Sequence, residues 1–268
     1  MSVAIVALAG CNTSPLGRKQ LTLLPEGQVQ QMGVAAYQQI KQDMDVVKGG
    51  YAPPFVRCVT NALTSVVAQD YGVREWEVNV FDDKSANAFA LPGGKIGVNS
   101  GLLNVAKNQD QLAAVVGHEL AHVLARHGNE RVSQQLAAQT GLQLVGTIAN
   151  GRGETDGKTR LLLGALGLGA QFGVLMPFSR LQESEADILG LQLMARAGFD
   201  PAEAVTLWHN MQTASGQKSP PEFLSTHPSS KTRIAALEKA LPSARELQRK
   251  TLSQSKSPQC NKVAANRG

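Results

Sequence analysis

The sequence predicts an α+β domain, mostly helical, with a small β-sheet packed beside one buried helix. Three observations carry this. Apolar residues recur at helical spacing through most of the chain. A period of two takes over only between Trp76 and Asn99. One helical stretch beginning near Asn108 is apolar nearly all round, which marks a helix buried on every side. Of 268 residues 43% are hydrophobic, enough for a packed core in one domain of ordinary size.

The elements follow in order. Val3 to Ala9 is an apolar run, and residues 12–24 read as a tether. Pro25 to Met44 predicts a helix on the spacing of Val29, Met32, Ala36 and Ile40, broken by Gly49-Gly50 and Pro53-Pro54. A second helix is expected from Phe55 to about Gln69. Trp76, Val78 and Val80 then alternate with Glu75, Glu77 and Asn79, the pattern of a half-buried strand. Asn87 to Leu91 and Lys95 to Asn99 read as two more strands around Pro92-Gly93-Gly94, and everything after Ser100 as helix and loop. Leu112, Val115, Val116, Leu120, Val123 and Leu124 make the buried helix, which Arg126, His127 and Gly128 are expected to end with a cation and a glycine stop. Another helix follows to about Ala149. A helix from Arg180 stops at Gly198, Asp200-Pro201 starts the next, residues 213–227 form a loop, and a last helical region covers 229–249.

Three segments emerge: 1–24, a signal remnant and tether; 25–249, the folded domain; and 250–268, a basic tail expected to be disordered. The net charge of +5 sits partly in that tail, at Lys250, Lys256, Lys262 and Arg267. No basic stripe with interleaved aromatics occurs, which argues against nucleic acid as a partner. Gly151 to Thr159 resembles a phosphate loop, but Arg152 replaces its first glycine and no apolar strand precedes it. Leu161 to Phe178 approaches membrane-spanning length but reads as a buried or membrane-facing helix.

Cys11 follows Leu8-Ala9-Gly10, which resembles a bacterial lipobox with a lipidated cysteine, although only ten residues precede it and none is basic. That reading places the protein in the periplasm, lipid-anchored to the outer membrane. Cys58 and Cys260 then remain as an even pair. Either a disulfide tying the tail to the N-terminal helices or two free thiols fits the sequence.

His118-Glu119-Leu120-Ala121-His122 carries the chemistry. Histidines four apart share one helix face, so both imidazoles reach a single ion, and Glu119 is placed to take a proton from a metal-bound water. A catalytic zinc needs a third protein ligand. The HExxHxxGxxH pattern fails, since Ala125 and Gly128 stand where Gly and His are required, and His127 reads as a helix-end cation. Glu183 and Asp187 share a face of a later helix, so one carboxylate can bind metal while the other orients a ligand imidazole; Glu185 projects elsewhere.

His118-Glu119-x-x-His122, Ser179-Arg180-x-x-Glu183-x-x-x-Asp187, His227-Pro228 and Arg233 together resemble the HtpX, Oma and CAAX-prenyl-protease family of gluzincin peptidases. Asn87 to Gly94 with Ser100-Gly101-Leu102-Leu103 is similar to the stretch preceding its metal helix, and the likeness covers about residues 15–240. The lipobox resembles the family's periplasmic lipoprotein members. The resemblance implies a zincin-like fold, one zinc held by His118, His122 and Glu183, and endopeptidase action on unfolded or misassembled cell-envelope proteins. It also brings His227 near the metal, as an oxyanion donor or as a cap on the open position. Asn87, Ala88, Phe89 and Ala90 form a candidate substrate-binding edge. The alternative is a catalytically silent, metal-stabilised chaperone or assembly factor, which a closed four-ligand site including His227 favours.

Overall fold

Polar residues and a glycine at positions 12–18 make a tight turn rather than a tether. In the computed structural model, which describes residues 11–67, 73, 75–137, 178–215, 223–227 and 231–260, β1 (Cys11–Thr13) and β2 (Lys19–Leu21) pair antiparallel, Cys11 opposite Leu21. Gly17 takes the left-handed φ of 87° that the turn requires, and Ser14 N–H donates to the Arg18 carbonyl at 2.8 Å.

Helices α1 (Glu26–Asp43) and α2 (Ala52–Thr64) follow, close to their expected limits. Strands β3 (Glu77–Phe81), β4 (Ala88–Leu91) and β5 (Lys95–Asn99) form a sheet in the order β3-β5-β4. β3 runs parallel to β5, Val80 beside Val98, and β4 antiparallel to it, Ala90 beside Ile96. β4 is therefore an edge strand. One face of the sheet packs under α1, where Tyr37, Phe81 and Phe89 cluster and the Tyr37 hydroxyl donates to the Ile96 carbonyl at 2.8 Å. The other face joins Phe55, Val59 and Leu63 of α2 and Leu112, Val116 and Leu120 of α3 in the main core.

A short 3₁₀ segment, Ser100–Asn104, leads to α3 (Gln109–Leu124). The Asn108 side chain accepts the Gln111 N–H at 2.8 Å and caps it. The expected glycine stop is not used. Arg126 adopts a left-handed φ of 53°, and Gly128 lies inside the next helix, α4, described over residues 127–137. α5 (Arg180–Arg196) starts with a reciprocal capping box between Ser179 and Gln182. α3 and α5 cross at Gly117 and Gly190: a Cβ on Gly190 would meet His118 N at 2.9 Å, so a side chain there would push the two helices apart. α6 (Ala202–Ser215) is capped by Asp200, whose Oδ1 accepts the Ala202 N–H. A single turn, α7 (Phe223–Thr226), and α8 (Lys231–Leu252) complete the described elements.

The end of the chain is held as far as it is described. Cys58 on α2 and Cys260 form a disulfide, and Gln109 bonds the Pro258 carbonyl and the Cys260 N–H, so 253–260 lies against the start of α3 rather than free. The phosphate-loop look-alike at 151–159, residues 161–177 of the apolar run and residues 261–268 of the tail lie outside the described residues. Among the described residues no helix is long and apolar enough to cross a membrane.

Candidate metal centre

The α3–α5 crossing brings the expected ligands to one point. His118 Nε2 lies 3.1 Å from His122 Nε2, and Glu183 Oε1 lies 3.4 Å from His122 Nε2. His227, one residue past α7, joins them: its Nδ1 is 3.2 Å from His118 Nε2 and 2.9 Å from Glu183 Oε1. All four are buried, and each offers one ligand atom within 4.8 Å of the others.

The outward side of each ring fixes which nitrogen carries the proton. His118 Nδ1 faces Asp187 Oδ1 at 3.1 Å, and His227 Nε2 faces Glu119 Oε1 at 3.2 Å. His122 Nδ1 meets His127 Nδ1 at 2.9 Å, while His127 Nε2 meets Glu185 Oε2 at 3.2 Å. Carboxylates only accept, so His118 and His227 put their protons outward, and His127 gives its proton to Glu185 and accepts from His122. Three imidazole lone pairs and a carboxylate oxygen then face one another across about 3 Å. Buried acceptors in that arrangement repel, and a divalent cation at their centre is the group that fits them.

The charges around the site agree. Burial works against a charged His118, yet hydrogen bonds to Asp187 and Glu183 push it up to about 9. That negative field suits a cation as it suits a proton. Burial would raise Glu183, but His227, His118 and His122 hold it far below the usual carboxylate range. Burial lowers His122 and His127, so His127 is a neutral buried ring and not the helix-end cation expected. Burial raises Glu119, against the pull of His227 and His118, and the Ala90 N–H donates to it. Arg233 Nε and Nη2 grip both Asp187 oxygens at 2.7 Å, Nη1 reaches Glu183 Oε2 at 2.6 Å, and the guanidinium stacks on Trp208.

Residues 56–241 match peptidase family M48. The chain belongs to that family. It is 44% identical over 171 residues to mitochondrial metalloendopeptidase OMA1 of Schizosaccharomyces pombe, covering 63% of this chain and 48% of the relative. Against the same-named protein of Saccharomyces cerevisiae it is 36% identical over 220 residues, 76% of this chain and 55% of the relative. Against the beta-barrel assembly-enhancing protease of Escherichia coli it is 28% identical over 224 residues, 82% of this chain and 45% of the relative. The M48 chain thus spans about half the length of the curated relatives it matches. The mitochondrial relatives overturn the expected periplasmic, outer-membrane location of a lipoprotein. The lipobox residues before Cys11 lie outside the described residues, and Cys11 itself opens β1.

The M48 site also holds residues that sequence reasoning missed or misassigned. Phe178 stacks on His122 with ring centres 3.9 Å apart, and the Arg131 guanidinium lies over the Phe178 ring at 4.4 Å. Glu185, expected to project elsewhere, is buried and bonded to His127 and to Arg18. The signal was present: a histidine five residues past His122 reaches it once α3 breaks at Arg126. The substrate edge expected at Asn87, Ala88, Phe89 and Ala90 is the edge strand and its entry, but all four are buried, and Phe223 N–H caps the Ala86 carbonyl beside them.

Proposed function

We propose that this M48 chain is a zinc endopeptidase that hydrolyses peptide bonds of unfolded or misassembled proteins with Glu119 as general base. The observation that carries the reading is Glu119: a carboxylate that is not among the four converging metal donors, yet is buried beside them and raised in pKa. A closed structural site has no use for such a group, whereas a base tuned upward suits proton transfer near neutrality. Four tetrahedral ligands around zinc stand about 3.3 Å apart. Four of the donor–donor distances here span 2.9 to 3.4 Å.

Zinc, when bound, polarises a carbonyl and lowers the pKa of water. His118, His122 and Glu183 would hold it, and Asp187 and His127 orient the two imidazoles. Glu119 takes the proton of the attacking water and returns it to the leaving nitrogen, while the Ala90 N–H keeps its carboxylate aimed. Ala88 to Leu91 offers an extended substrate a strand edge whose backbone bonds ignore side-chain identity. Val29, Ala90, Val123 and Phe178, with the polar Glu26, Arg126 and Asn129, line a small open pocket of about 20 Å³ that reaches His122.

His227 supports a second reading, the catalytically silent factor with a four-ligand closed site, because its Nδ1 sits where a substrate or water would bind. We assign it instead as a removable cap. Glu119→Gln is expected to keep zinc and lose casein hydrolysis by about 10²-fold or more. His227→Ala is expected to keep zinc and digest unfolded protein faster than wild type. Hydrolysis in neither wild type nor His227→Ala, with zinc bound in both, establishes the silent factor instead.

A further inference from the structure

We infer that Arg18, Glu185 and His127 form a positioning relay that fixes the orientation of the His122 imidazole from the N-terminal hairpin, so that hairpin docking and metal binding are coupled. The inference rests on the reading of His122 as a ligand.

The relay is continuous. Arg18 Nε donates to Glu185 Oε2 at 2.8 Å, the same oxygen that faces His127 Nε2 at 3.2 Å. His127 Nδ1 then meets His122 Nδ1 at 2.9 Å. Among the described residues, His127 is the hydrogen-bond partner of the His122 ring on its outer side, and Phe178 stacks on its face. The other arm of Arg18 anchors it. Nη1 and Nη2 grip Glu130 on α4 at 2.5 and 2.7 Å, a two-point fork. Glu130 also accepts from Gln182 of the α5 capping box at 2.9 Å. Gln20, on the same hairpin, donates to the Ala125 carbonyl at 2.6 Å, closing the end of α3 just past His122. Ser14 adds a further bond to Glu185.

The burial makes this more than a surface contact. His127 is fully buried, Glu130 and Glu185 nearly so, and Arg18 is the cation that spans both carboxylates. Undocking the hairpin strips that cation from two buried acids and frees Glu185 to turn. The proton orientation that points the His122 lone pair at the metal then loses its support. Nothing in the hydrolytic chemistry needs Arg18, which touches no ligand and no reacting atom. Its place is explained by what it holds.

Coupling of this kind is reciprocal: whatever factor hairpin docking adds to metal affinity, metal binding adds to docking. Two measurements test it on the whole chain. Zinc affinity by chelator competition should fall about 10- to 100-fold in Arg18→Gln and His127→Leu, the range seen when an outer partner of a ligand is lost. His127→Gln, which can still accept from His122, should recover most of it. Amide hydrogen exchange of wild type should show residues 14–21 opening more often without zinc, by the same factor. The exchange arm needs no variant, so it stands even where Arg18→Gln folds poorly. Unchanged zinc affinity in His127→Leu, or hairpin exchange indifferent to zinc, overturns the relay. His122→Ala separates the two ideas: a zinc-free variant keeps the site reading, and a variant that still binds zinc sinks both.

Discussion

His118 and His122 face the same point from one helix, yet they are held in opposite ways. His118 leans on charge: Asp187 at 3.1 Å, itself gripped by Arg233 through two bonds of 2.7 Å. On its outer side His122 leans on a neutral ring, His127, with the charges of Glu185 and Arg18 one step beyond it. The first support lies between α5 and α8, close around the ligand. The second passes through the N-terminal hairpin. A direct ionic support is stiff and hard to change without unfolding. A relay through a short hairpin follows the docking of that hairpin, as the inferred coupling requires.

The comparison is broken most completely by removing what both halves share. Glu183→Ala is expected to abolish zinc binding, read by metal analysis of purified protein; full occupancy moves the third ligand to Asp187 or Glu185. Next comes the charged half alone. Arg233→Leu leaves Glu183 and Asp187 buried without their cation, and is expected to destabilise the fold by about 3–5 kcal/mol in denaturant melts. A loss under about 1 kcal/mol means those carboxylates find water or another partner. Asp187→Asn is milder. It keeps an acceptor for His118 but removes the charge, and should weaken zinc about 10-fold, where His127→Gln on the neutral side should barely change it. Equal losses would erase the distinction between the halves.

The smallest effect is one of pH. Burial alone would raise Glu185, but hydrogen bonds from His127, Ser14 and Arg18 hold it at about 2 against an ordinary 4.5. A carboxylate depressed on folding adds stability that is complete above about 4.5 and fades as pH falls toward 2. In metal-free protein the stability gap between wild type and Glu185→Gln should therefore narrow across that window. A gap independent of pH there contradicts the assignment of a paired, ionised Glu185.

The two supports were unequally legible in the sequence. Asp187 stands four residues after Glu183, so helical spacing alone puts it on the ligand face. The strands around Pro92-Gly93-Gly94, the buried α3 and the Asp200 cap were equally local signals and formed as read. The relay was hidden because its bonds join residues far apart in the chain: Arg18 reaches Glu130 across 112 positions and Glu185 across 167. No period or motif links such positions. His127 was misread for a subtler reason. Extending α3 as a straight helix swings residue 127 off the His122 face, and only the left-handed Arg126 turns it back. The hairpin itself was taken as a tether because six strand residues carry too little pattern to announce a pairing.

The Cys58–Cys260 bond has a consequence for how the proposed peptidase activity is to be watched. It closes a covalent ring of 202 residues' separation that contains every proposed ligand. A single cut at any peptide bond between those cysteines opens the ring without releasing a fragment. Self-digestion, the usual sign that a protease has become active, therefore leaves an oxidised molecule of unchanged mass apart from one added water. The cut becomes visible only on a reducing gel. An oxidised preparation that looks intact can already be nicked, and its metal-holding helices remain fastened together in either state.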